Sequence, residues 1–162
     1  MLLLLVRHAH AGDRDPERWP DDTLRPLTDK GRKTQAKVAK TLRDLGHRPE
    51  LVLTSPWLRA AQTAEILQQG LALPAPPIPC PALADDPDPA ALQEAVGPRG
   101  DKAVVALVGH SPWMEELAAL LLTGATHGLR LDLPKSGVLA LESDRIAPGK
   151  GTLRFFLRPK ML

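Results

Sequence analysis

Leu2 to Val6 is an unbroken apolar run that stops at Arg7-His8, the pattern of a strand covered on both faces in a parallel sheet. Ala103 to Val108 repeats that pattern and stops at Gly109-His110. Between these runs the period changes. Apolar positions Ala36, Ala39, Leu42 and Leu45 recur at helical spacing after Thr28, a residue suited to cap a helix, and Gly46 is a natural stop. Leu51 to Leu53 reads as a further strand. Ser55-Pro56 follows it, with Ser predicted to cap and Pro to fill the first helical position of a helix that carries Trp57, Ala60, Ala61, Ala64 and Leu67 and ends near Gly70. Ser111-Pro112 predicts the same start for a helix running to about Leu122, with Gly124 as its stop. A short helix is expected from Ala90 to Val96. Val138 to Glu142 and Thr152 to Leu157 are expected as an antiparallel pair of strands, because only a turn-rich segment separates them. Leu73 to Pro89 is dense in proline, which lacks the backbone donor that a helix or central strand requires, and is expected to be an irregular loop.

Strands alternating with helices predict a three-layer α/β/α arrangement, with a mostly parallel central sheet and one antiparallel edge. The 162 residues suit a single domain spanning 1–162, and no repeat or linker interrupts them. The apolar start lacks the basic leader and small-residue cleavage site of a signal peptide, and no other run approaches a bilayer span, so a soluble, cytoplasmic protein is expected with no membrane partner. Aromatic residues are only 3% of the chain and the basic residues are dispersed at a net charge of +2, which argues against a nucleic-acid surface. The lone Cys80 excludes an internal disulfide and has no neighbouring His or Cys to suggest a zinc site.

In open parallel sheets ligands bind beyond the carboxyl ends of the strands. That rule gathers Arg7 and His8 after the first strand, Ser55 and Arg59 after the second, and Gly109, His110 and Ser111 after the third. Two arginines and two histidines on one rim suit phosphoryl transfer. Arginine forks bind phosphate oxygens bidentately and stabilise the charge they carry in the transition state, and a neutral imidazole is a competent nucleophile towards phosphorus. Arg59 falls in the first helical turn, where a cation opposes the helix dipole unless an anion sits beside it.

The strings Leu-Val-Arg7-His8-Ala-His, Arg25-Pro-Leu-Thr28, Thr-Ser55-Pro-Trp-Leu-Arg59-Ala-Ala-Gln62-Thr63-Ala and Val-Gly109-His110-Ser, in that order, resemble the histidine phosphatase superfamily. They are most similar to its small SixA-type phosphohistidine phosphatase branch, and the likeness spans nearly the whole chain. The resemblance implies a phosphoglycerate mutase-like fold and a metal-independent phosphatase that needs no cofactor. It further implies that His8 takes the phosphoryl group, that Arg7 and Arg59 clamp its oxygens, that His110 adds a fourth hydrogen-bonding group, and that water then hydrolyses phospho-His8. Arg25 is implied to reach the phosphate or the substrate that carries it.

The implied substrate is phosphohistidine on a partner protein, because the loops flanking the site are short and no inserted cap encloses a small molecule. Two other readings remain beside it. A phosphatase or mutase for small phosphate esters would need a general acid, for which Asp85 in the loop Pro81-Ala-Leu83-Ala-Asp85-Asp86 is the candidate; a non-catalytic phosphate-binding module would need none. A metal held by His8 and His10 with Asp13 or Asp85 is disfavoured by the two arginines beside it, so metal ligands are expected to be none.

Overall fold

The computed structural model describes residues 1–86 and 88–162. Its central sheet has six strands, β1 (Leu2–Arg7), β2 (Leu51–Thr54), β3 (Ile78–Pro79), β4 (Val104–Gly109), β5 (Val138–Glu142) and β6 (Thr152–Leu157), in the order β3-β2-β4-β1-β5-β6. β3, β2, β4 and β1 are mutually parallel; β5 runs antiparallel to β1, and β6 antiparallel to β5. The sheet is thus mostly parallel as expected, but its antiparallel part is two strands wide. Four helices cover it: α1 (Asp29–Asp44), α2 (Leu58–Gly70), α3 (Pro89–Val96) and α4 (Trp113–Thr123).

Successive β1 residues point to opposite faces, and both faces are covered, which is why the run is apolar throughout. Leu3 and Leu5 pack with Leu107, Met114 and Leu117 beneath α3 and α4, while Leu4 and Val6 pack with Val38, Leu42, Ala60 and Ala64 beneath α1 and α2. Thr28 caps α1 by accepting the Gly31 amide, and Gly31 has no room for a side chain, since a Cβ there would lie 2.1 Å from the His10 carbonyl oxygen. That close approach presses the start of α1 against the segment just beyond His8.

Three expectations need correction. The proline-rich segment is not wholly irregular: Ile78 and Pro79 pair with β2 as a two-residue edge strand, a position where the missing proline donor costs nothing. Pro87, within that segment, lies outside the described residues. Ser55 does not cap α2, which begins at Leu58 after Trp57, and Ser111 does not cap α4, which begins at Trp113 after Pro112. Each serine hydroxyl has a different partner: Ser111 donates to Glu115, and Ser55 meets His110.

Candidate active site

The sheet register brings the strand ends level. Arg7 lies opposite Gly109, the His8 amide donates to the Gly109 carbonyl at 2.9 Å, and the Ser55 amide donates to the Val108 carbonyl at 2.9 Å. His8, His110 and Ser55 therefore leave three adjacent strands at one height. A fourth segment closes the arrangement: the Ser136 amide donates to the Arg7 and His8 carbonyls, the Gly137 carbonyl accepts the Arg7 amide, and the Leu133 carbonyl accepts Arg7 Nη1 at 2.8 Å. Ser136 holds this position with φ of +62°, a left-handed conformation costly for a residue with a side chain.

His8 is 7% exposed, and its Nδ1 lies 2.7 Å from the Ala9 carbonyl oxygen. A carbonyl only accepts, so Nδ1 carries the proton and Nε2 presents its lone pair. Burial, together with the charges of His110, Arg59 and Arg7, outweighs the Ala9 bond and pulls the His8 pKa down to about 3, so the ring is neutral at ordinary pH. Thr63, one turn beyond Arg59 on α2, fixes the same peptide: its hydroxyl accepts the Ala9 amide at 3.0 Å and donates to the Arg59 carbonyl at 2.6 Å.

His110 lies 5.2 Å from His8, centroid to centroid. Its Nε2 is 2.8 Å from Ser55 Oγ, which already accepts the Trp57 amide. The arrangement with fewest unmet groups has Ser55 donating to Nε2, which puts the His110 proton on Nδ1. Nδ1 is buried and unpartnered among the described residues, as are Arg7 Nε and Arg59 Nε. Burial, with Arg59 and Arg7 next in effect, also lowers the His110 pKa to about 3. A cluster of neutral imidazoles and charged guanidinium groups with donors to spare is matched to a tetrahedral oxyanion.

Arg59 sits in the first turn of α2, as the sequence places it, and the anion beside it is Asp22. Its Nη1 donates to the Asp22 carbonyl at 2.8 Å, and its Nη2 lies 3.3 Å from the Asp22 carboxylate. The same carboxylate accepts Arg25 Nε at 2.9 Å, and that bond, together with the charge of Arg59, holds the Asp22 pKa below the ordinary carboxylate range. Arg25 gives its Nη1 to the Ala11 and Gly12 carbonyls. It therefore joins the cluster through Asp22, with these donors engaged in fixing the loop over the site.

Asp85 has no hydrogen bond to this network among the described residues. It is exposed and shares a shallow surface depression with Trp113, Leu83 and Met114. His10 turns to the Thr28 hydroxyl while His8 turns to Ala9, and no three metal-ligating side chains converge among the described residues. No described helix is long and apolar enough to cross a membrane. Sequence reasoning missed Asp22, the positioning role of Ser55, and Lys135 beside Ser136, whose ammonium pKa is lowered by burial and by Arg7 and Arg25.

Residues 3–85 match the family model of the histidine phosphatase superfamily, branch 1. An uncharacterised protein of Picosynechococcus is 36% identical over 158 residues, covering 88% of this chain and 86% of its own. A structure of the protein histidine phosphatase SixA complexed with tungstate superposes with a TM-score of 0.81 at 27% identity, covering 99% of each chain. A phosphoserine phosphatase mutant from Entamoeba histolytica in complex with phosphoserine shares the fold at a TM-score of 0.69 and 15% identity, covering 99% of this chain and 98% of its own.

Proposed function

From the chain's membership of the histidine phosphatase superfamily, as a phosphatase of SixA type, we propose that it removes phosphate from phosphohistidine on a partner protein, with His8 as nucleophile. The observation that carries the nucleophile is the His8 Nδ1–H bond to the Ala9 carbonyl, which leaves Nε2 as the attacking atom. Arg7 and Arg59 bind the transferring oxygens, and His110 donates through Nδ1. The similar SixA structure holds tungstate, a tetrahedral oxyanion of the kind this donor set suits.

In the first step the Nε2–P bond forms as the bond from phosphorus to the substrate nitrogen breaks. Because Nδ1 keeps its proton, the product is a phosphorylated imidazolium, whose ring can later depart as neutral imidazole without an acid. In the second step water bonds phosphorus, the Nε2–P bond breaks, and both water protons leave with the phosphate as dihydrogen phosphate. The same logic applies to the substrate: a phosphohistidine protonated on its other nitrogen also departs as a neutral ring. An alkyl phosphate would depart as an alkoxide and would need a proton donor. Asp22 is a poor one, being held ionised by Arg25 and Arg59, and Asp85 has no hydrogen bond to the cluster among the described residues.

Arg25 supports substrate binding from behind Asp22, by adding positive potential and holding the Ala11–Gly12 loop. Comparing kcat/KM for a phosphohistidine-bearing phosphotransfer domain with that for an alkyl phosphate tests the substrate. The expected result is a large preference for the phosphohistidine protein, with Asp85→Asn leaving that activity in place. A preference for the alkyl ester that Asp85→Asn abolishes would replace this reading with that of a small-ester phosphatase.

A further inference from the structure

The wall of the site on the His110 side is aromatic, in a chain that has almost no aromatic residues. Of three tryptophans in the sequence, two, Trp57 and Trp113, are gathered here, and both are half-buried. Trp57 lies 4.5 Å from His110, centroid to centroid, and the Arg59 guanidinium carbon lies 4.6 Å from the Trp57 ring centre. Trp113 stands edge-on to both neighbours, 6.0 Å from His110 and 6.3 Å from Trp57. Neither ring is among the buried core residues, which are non-aromatic on both faces of the sheet. Trp57 is accounted for in part by its cation–π contact with Arg59. Among the described residues Trp113 makes no cation–π contact with either arginine, and it stays partly exposed beside His110.

In-line displacement places the leaving group opposite His8 Nε2, across phosphorus from the buried end of the site. His8 is 7% exposed and His110 3% exposed, whereas the two tryptophans beside His110 are half-buried and so partly open to solvent. The site is also bordered by charged groups, Asp22 with Arg25 beside Arg59 and, near Arg7, Lys135. We infer that Trp57 and Trp113 form a leaving-group platform that takes a flat, cationic ring, the protonated imidazole of the substrate phosphohistidine, by stacking and cation–π attraction. This rests on the phosphohistidine reading above and adds the residues that would select an imidazole over other phosphorylated nitrogens. Such a ring loses its charge as the P–N bond breaks, so the platform holds the substrate more firmly than the product and contributes to KM more than to kcat.

Trp113 is the cleaner position to test, since among the described residues it makes no cation–π contact with either arginine. Two substrates with the same P–N bond distinguish the roles: a phosphohistidine peptide, which has the ring, and phosphoramidate, which lacks it. Trp113→Leu should raise KM for the phosphohistidine peptide about three- to tenfold, the size of an aromatic contact, with a much smaller effect on phosphoramidate. Trp113→Phe should restore most of the loss, and the affinity for inorganic phosphate should stay within about twofold of wild type. Equal losses on both substrates, or a parallel loss of phosphate affinity, would overturn the platform and make Trp113 a mere support for His110. Wild-type protein that turns over phosphoramidate but not the phosphohistidine peptide would overturn the substrate reading itself, and the platform with it.

Discussion

Thr63→Val removes one hydroxyl at the point where α2 touches the peptide that follows His8. Thr63 is fully buried, and valine fills the same volume, so no cavity opens. The Arg59 carbonyl keeps its helical partner, the residue 63 amide, and loses little. The Ala9 amide has no such reserve: its hydrogen bond runs to Thr63 Oγ1 at 3.0 Å, and Ala9 is fully buried. An unsatisfied buried donor costs about 1–3 kcal/mol, which in a domain of this size lowers the melting temperature by about 2–10 °C. Because the Ala9 carbonyl on the other side of that residue fixes the His8 tautomer, the rate of His8 phosphorylation should fall as well. Urea denaturation and single-turnover kinetics on Thr63→Val, with Thr63→Ser as the variant that keeps the hydroxyl, measure both effects. If Thr63→Val were as stable as wild type while Thr63→Ser was destabilised, the methyl group and not the hydroxyl would be what matters, and the reasoning would fail.

Two further outcomes follow from the charges. Asp22→Asn removes the carboxylate that faces Arg59 and Arg25, so inorganic phosphate should bind several-fold more tightly while the fold loses stability, because nearly buried Arg25 loses its ionic partner; weaker phosphate binding, by isothermal titration, would refute the first part. His8 and His110 both have pKa values lowered from 6.5 to about 3, so the unfolded chain binds more protons than the folded one between those limits and stability is lost as pH falls through that window. At pH 5 each histidine costs about 2 kcal/mol relative to neutral pH, so the urea midpoint should drop from pH 7 to pH 5, and a midpoint indifferent to pH over that range would contradict the buried neutral rings.

Much of the scaffold was legible because it rests on local patterns. Continuous apolar runs marked β1 and β4, and the polar residues that broke them, Arg7-His8 and Gly109-His110, fell at the carboxyl ends where the structure gathers them. The α1 cap at Thr28 was legible for the same reason, since a cap bonds within its own first turn. Ser55 and Ser111 carried the same Ser-Pro signature without capping, because a short hydroxyl serves equally well to hold an imidazole or a glutamate, and only the fold decides which is in reach. Asp22 could not be found by period or motif. Its pairing with Arg59 spans 37 residues and depends on how the loop after β1 closes over α2. Ser136 and Lys135 were hidden likewise, in a turn whose contact with Arg7 and His8 exists only once β5 lies beside β1. Arg25 was legible as part of a motif, but its engagement with Asp22 and the Ala11–Gly12 loop was not.

In the proposed reaction Nε2 of His8 accepts the phosphoryl group because Nδ1 holds a proton for Ala9. Rapid quenching of the wild-type protein with a phosphohistidine donor, followed by ³¹P and proton NMR of the trapped, acid-labile phosphoprotein, tests it most directly. One phosphate is expected, on Nε2 of His8, and none on His8→Ala. A phosphate on Nδ1, on His110 or on a serine, or turnover by His8→Ala at the wild-type rate, would contradict it.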